Sequence, residues 1–128
     1  MSNEKSLSKP AILVTEDDFE NQKFLKFLLD KDFEVEVCDS AESFFKNLNS
    51  RKFDIILMDI SLKGNKTGLD LTQEIKKHPE YKGIPIVCLS AHAFKKDRDN
   101  AMRAGVDVFL TKPIENNLLL STLKKLIK

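Results

Sequence analysis

From Ala11 onward, short apolar runs alternate with stretches in which apolar residues recur three or four positions apart. The runs are Ala11–Val14, Val35–Cys38, Asp54–Met58, Ile84–Leu89 and Val106–Leu110. Short runs of this kind suit β-strands, whereas the three-four spacing lays one apolar stripe along a helix. Phe24, Leu25, Leu28 and Leu29 form such a stripe after the first run, and Leu119, Leu123 and Leu126 form another near the end. The pattern predicts five strands alternating with five helices, an α/β fold of repeated βα units around a parallel sheet. Thr67 and Asp70 have the spacing of a capping box, with Asp in place of Glu, and predict the start of the third helix. Proline after His78 predicts a helix end there.

The runs are not equivalent. Val35-Glu36-Val37 and Val106-Asp107-Val108 alternate, while the first, third and fourth runs are more continuously apolar. Alternation suits strands near the edges of a sheet and continuity suits its centre. With right-handed crossovers, the doubly wound order 2-1-3-4-5 places the first, third and fourth strands inside. In that flavodoxin-like arrangement the winding reverses between strands one and three, and ligands of open α/β sheets bind at the carboxyl ends beside such a reversal. The residues that follow strands one and three therefore become the candidates for chemistry.

Length and charge narrow the classes. A chain of 128 residues matches one domain, with polar residues 1–9 expected as a flexible tail and residues 10–128 as the folded unit. Its 21 basic and 20 acidic side chains leave a net charge of +1, which gives no general attraction to nucleic acid or anionic membrane. No apolar run approaches the ~18 residues of a membrane span, and the first residues lack a signal-peptide layout, so a cytoplasmic protein is expected. Cys38 and Cys88 end apolar runs without CxxC spacing and are expected to be small buried side chains.

Candidate chemistry concentrates at strand ends. Glu16, Asp17 and Asp18 follow the first run, and Asp59 ends the third. Neighbouring carboxylates repel, and one takes up a proton unless a cation holds them ionised. Oxygen ligands with an open side favour Mg²⁺. The same acids also suit helix caps and the helix dipole: that reading is preferred for Asp18 and stays open for Glu16 and Asp17. Ser90 closes the fourth run and Lys112 follows the fifth. Singly they read as a turn former and a solvated lysine. Together with Asp59 they supply groups suited to phosphate.

In this arrangement the chain resembles the receiver domains of two-component response regulators, from Ala11 to the C-terminus. The resemblance is carried by ILVTED, DIILMDISL, IPIVCLSAHA and AGVDVFLTKPI, in that order. It implies that Asp59 is the phosphoacceptor, that Lys112 and Ser90 serve the phosphoryl group, and that Mg²⁺ is held by Glu16, Asp17, Asp59 and the backbone carbonyl of Ser61. It further implies Ser90 and Phe109 as a switch pair acting on the face of helix four, strand five and helix five, Ser61 and His92 as tuners of the phosphoryl lifetime, and a cis Lys112–Pro113 bond. The implied donor is a phosphohistidine on a histidine kinase or phosphotransfer protein. A downstream protein would dock on the switching face, with the chain a monomer or a phosphorylation-dependent dimer.

Departures from the family pattern are Lys63 where proline is frequent, a loop at residues 63–67 about one residue longer than common, Ser for Thr at 90 and Phe for Tyr at 109. Phe109 has no hydroxyl to offer a partner. An aspartate-nucleophile phosphatase would also use a strand-end Asp, Mg²⁺ and Lys, but this chain has Asp59-Ile60-Ser61 in place of DxD and is too short for a cap domain. A receiver-like binding module without phosphorylation would have lost the acids. Gly64-Asn65-Lys66-Thr67-Gly68 lacks the spacing of a nucleotide loop.

Overall fold

The computed structural model describes residues 9–59, 67–91 and 94–127. Residues 1–8 of the expected tail, and Ser61, Lys63 and His92, lie outside the described residues.

Five parallel strands, β1 (Ala11–Thr15), β2 (Glu34–Cys38), β3 (Ile55–Asp59), β4 (Ile86–Ser90) and β5 (Val108–Thr111), form one sheet in the order β2-β1-β3-β4-β5. The helices between and after them are α1 (Phe19–Leu29), α2 (Ala41–Ser50), α3 (Gly68–Lys77), α4 (Lys95–Ala104) and α5 (Asn116–Leu126). This is the expected doubly wound order. Strands β1, β3 and β4 are buried at every position, whereas β2 alternates between exposed and half-buried residues until Cys38. A central strand packs helices on both faces and an edge strand does not, which accounts for the contrast in sequence pattern.

Alternate residues of the central strands feed two cores. Leu13, Ile56, Met58, Ile86 and Cys88 face Phe44, Leu48, Leu71, Ile75 and Ala101 of α2, α3 and α4. Ile12, Val14, Ile55, Leu57, Val87 and Leu89 face Leu25, Leu29, Leu119 and Leu123 of α1 and α5. Full burial of an aliphatic side chain of this size contributes roughly 1.5–3 kcal/mol. The α1 stripe is narrower than expected: Leu25 and Leu29 are buried, Leu28 packs at the margin, and Phe24 is 50% exposed. Both cysteines are buried free thiols, with pKa values pushed up to about 12, foremost by burial.

Local signals set the element ends. Thr67 and Asp70 form a reciprocal box, with the Asp70 amide donating to Thr67 Oγ1 at 3.2 Å and the Thr67 amide donating to Asp70 Oδ2 at 2.9 Å. Helix α3 stops at Lys77 with His78 as its cap, as the following proline requires. Helix α4 ends in Gly105 at φ +112°, where a Cβ would stand 2.7 Å from Cγ of Lys76. A residue with a side chain would meet both strain and a clash there. The last two strands begin later than the apolar runs suggest. Pro85 has no amide to pair, and Asp107 instead turns its carboxylate back to accept from the Ile86 amide at 2.8 Å and from Lys76 Nζ at 3.2 Å.

Candidate functional site

Because all five strands run parallel, their carboxyl ends lie along one edge of the sheet. The register pairs Thr15 with Met58, Asp59 with Leu89, and Ser90 with Thr111, so the residues at or just past these ends are neighbours in space. Glu16 continues the β1 pairing, its amide donating to Cys38 O at 2.9 Å. The chain then turns into α1, where Asp18 is the N-cap and accepts from the Asn21 amide at 2.9 Å. Asp18 is thus occupied as a cap, and Glu16 and Asp17 are presented to the crevice.

Glu16, Asp17 and Asp59 each bring a carboxylate oxygen to within 4.8 Å of the others. Glu16 and Asp59 are buried, and Asp17 is half-buried. The Nζ of Lys112 lies 3.2 Å from Asp59 Oδ2 and 3.9 Å from Glu16 Oε1. Its backbone amide donates to Ser90 O at 2.8 Å, which ties the loop after β5 to the end of β4, and the Lys112–Pro113 bond is cis. Ser90 is fully buried at that strand end. Phe109 is also buried, with the Arg98 guanidinium of α4 5.2 Å from its ring centroid.

Glu16 is pushed up to about 7, first by burial and then by the neighbouring Asp59 carboxylate, against the lowering effects of the Asp18 amide and Lys112. Burial and the adjacent carboxylate therefore favour the protonated form of Glu16, as expected for carboxylates packed this closely. Three carboxylate oxygens within 4.8 Å of one another, beside an ammonium, form a hard donor set that suits a small divalent cation.

Two polar contacts at this edge had no counterpart among the sequence candidates. Gln22 Nε2 donates to Glu16 O at 2.6 Å, pinning the β1–α1 turn from one helical turn away. Thr15, buried at the end of β1, accepts from the Asp59 amide at 3.2 Å. A glutamine on a helix carries no signal of such a role. For Thr15 the signal was a lone hydroxyl in an aliphatic strand, which says that a polar group is buried but not what it meets.

Comparison with known proteins agrees with this geometry. The sequence model of the response regulator receiver domain matches residues 12–124. Among curated proteins, the chain is 36% identical over 122 residues to the 3',5'-cyclic-nucleotide phosphodiesterase regA of Dictyostelium discoideum, covering 92% of this chain and 15% of that protein. It is 35% identical over 116 residues to hybrid signal transduction histidine kinase I of the same organism, covering 84% of this chain and 7% of that one. The chain thus spans a small part of these relatives. Among solved structures, the receiver domain of a sensor histidine kinase from Pseudomonas aeruginosa PAO1, which has a magnesium ion coordinated in its active site cleft, is 28% identical with a TM-score of 0.83, covering 92% of this chain and 97% of that one. A response regulator structure from Chloroflexus aurantiacus is 25% identical with a TM-score of 0.87, covering 93% and 98%. With a matching family sequence over most of its length and the same fold, the chain belongs to the response regulator receiver domain family, homologous to the receiver domains of hybrid histidine kinases.

Proposed function

We propose that Asp59 accepts a phosphoryl group from a phosphohistidine and that the aspartyl phosphate controls partner binding in a two-component or phosphorelay system. The observation that carries this reading is the approach of Lys112 Nζ to Asp59 Oδ2 at 3.2 Å beside the clustered oxygens of Glu16 and Asp17. In the transfer, an Asp59 carboxylate oxygen forms a bond to phosphorus as the donor's N–P bond breaks, and the leaving imidazole takes up a proton. An aspartate is a weak nucleophile towards an anionic phosphoryl group, so catalysis rests on alignment and charge neutralisation.

Lys112 neutralises one phosphoryl oxygen and Ser90 donates to another. Glu16, Asp17 and Asp59, with the carbonyl of Ser61, would hold Mg²⁺, which supplies charge neutralisation between acceptor and donor oxygens when bound. Ser61 and His92 tune the rate at which water removes the phosphoryl group. Ser90 and Phe109 couple the modified site to the face of α4, β5 and α5, where a downstream protein docks, with the chain a monomer or a phosphorylation-dependent dimer. The chain catalyses only its own phosphorylation and dephosphorylation, and it acts in the cytoplasm. Among the described residues no helix is long and apolar enough to cross a membrane, which suits that placement.

Incubation with acetyl phosphate and Mg²⁺ followed by intact-mass measurement tests the reading. A single phosphoryl adduct lasting minutes, absent in Asp59→Asn, is expected. Multiple turnovers of donor without an adduct would instead indicate a phosphatase, and an unmodified chain would indicate a binding module. Beryllofluoride with Mg²⁺ should move the amide resonances of residues 94–127, and an unmoved α4-β5-α5 face would remove the switch from the reading.

A further inference from the structure

Thr15 is the one hydroxyl in β1, and only 1% of it is exposed. Valine would serve the strand's propensity and packing as well, so the hydroxyl needs its own account. Its oxygen accepts from the Asp59 amide at 3.2 Å, while its proton faces Met58 Sδ at 3.0 Å and Leu57 O at 3.4 Å. All three partners belong to the last three residues of β3. The β1–β3 pairing ends at the Thr15–Met58 row, and Asp59 lies one residue beyond it. The hydroxyl reaches across that step.

We infer that Thr15 is a positioning residue for phosphoryl transfer: by fixing the end of β3, its hydroxyl keeps the Asp59 carboxylate aimed into the acidic crevice. The inference rests on Asp59 being the phosphoacceptor. A buried hydroxyl bonded to a backbone amide in a low-dielectric setting holds that amide more firmly than packing alone. In-line transfer is sensitive to such placement, since a displacement of about 1 Å can cost on the order of 100-fold in rate. Thr15 touches neither donor nor phosphoryl group, so its effect is expected on the rate of the transfer step and not on donor binding.

The test compares wild type with Thr15→Val and Thr15→Ser, following adduct formation against acetyl phosphate concentration at saturating Mg²⁺ and measuring the unfolding midpoint of each protein. For Thr15→Val the maximal rate should fall about tenfold, a barrier change of one decade, with half-saturating acetyl phosphate within about twofold of wild type. Thr15→Ser loses the methyl group, and with it stability, yet should keep a rate within about threefold of wild type because the hydroxyl remains. Rates that follow stability and not the hydroxyl, or a Thr15→Val rate equal to wild type, overturn the inference. Should Thr15→Val fail to fold, Thr15→Ala against Thr15→Ser makes the same comparison. A wild-type protein that forms no adduct rejects the phosphoacceptor reading itself, which separates that failure from failure of the Thr15 role.

Discussion

The ammonium of Lys112 lies 3.2 Å from Oδ2 of Asp59, two side chains 53 residues apart in sequence, one at the end of β3 and the other just past β5, with β4 between those strands. The contact exists because the loop after β5 is tied by its Lys112 amide to the end of β4, which is itself paired with the end of β3. A charge-assisted contact at a buried carboxylate is stronger than its exposed equivalent. At this position it is also aimed at the phosphoryl group that the site is proposed to accept.

Replacing Lys112 by Met should therefore slow phosphorylation from acetyl phosphate by about 100-fold, the usual cost of losing one well-aimed donor. The same variant should still fold. Stopped-flow or timed intact-mass measurement checks the rate, and a variant as fast as wild type would remove Lys112 from the reaction.

The raised pKa of Glu16 sets a pH dependence. Its folded-state value, about 7, stands above the ordinary 4.5, so between these values the folded protein binds more protons than the unfolded one. Stability then falls as pH rises, from full benefit below about pH 4.5 to its loss above about pH 7. For this group alone, metal-free protein in chelator should show a declining urea midpoint across that window. Saturating Mg²⁺ should flatten the decline, because a cation favours the ionised form that high pH produces. Apparent Mg²⁺ affinity, followed by calorimetry, should rise up to about pH 7 and level off beyond it.

Asp59→Asn removes the neighbouring charge that raises Glu16 and leaves burial, the largest cause, in place. The Glu16 pKa should drop below its wild-type value yet stay above 4.5, because burial persists. Carbon-detected NMR titration of the side-chain carboxyl reads this directly. An unchanged value would mean that the two carboxylates do not interact as their positions imply.

Far from the crevice, Asp107 offers a stability control. Alanine at this position would leave the Ile86 amide without the carboxylate it donates to and would part Lys76 from its salt bridge. A cost of about 1–3 kcal/mol is expected for the unsatisfied amide. Urea unfolding measures it, and the phosphorylation rate should remain within twofold of wild type since the change lies at the opposite ends of the strands.

The capping box at Thr67 is separable in the same way. Thr67→Ala should cost about 1 kcal/mol by removing the acceptor of the Asp70 amide. Equilibrium unfolding again provides the measurement, and Thr67→Ser should restore most of the loss.

How much of this was legible beforehand differs by level. The aliphatic continuity of Ile12-Leu13-Val14 and Ile55-Ile56-Leu57, against the alternation of Val35-Glu36-Val37, was enough to infer which strands lie inside, because burial on two faces and on one face select different side chains. The Thr67 box and the stop before Pro79 were legible too, since both act through neighbours in the chain. Phe24 misled because periodicity identifies a helix but not the width of the stripe its neighbours cover, and only the packing of Leu25 and Leu29 against β1 and β3 leaves it outside.

The candidate site divides along the same line. Sequence alone determined which polar residues end the strands, and hence that Glu16, Asp17, Asp59, Ser90 and Lys112 were candidates for one sheet edge. Tertiary structure alone decided that Glu16 is buried beside Asp59 and so raised above the ordinary carboxylate range, that Lys112 lies against Asp59, and that Thr15 and Gln22 bond to the ends of β3 and β1. The physical reason is range. Periodicity and capping are settled within a few residues of chain, whereas desolvation, charge pairing and hydrogen bonds between strand ends depend on distances that exist only once the sheet has closed.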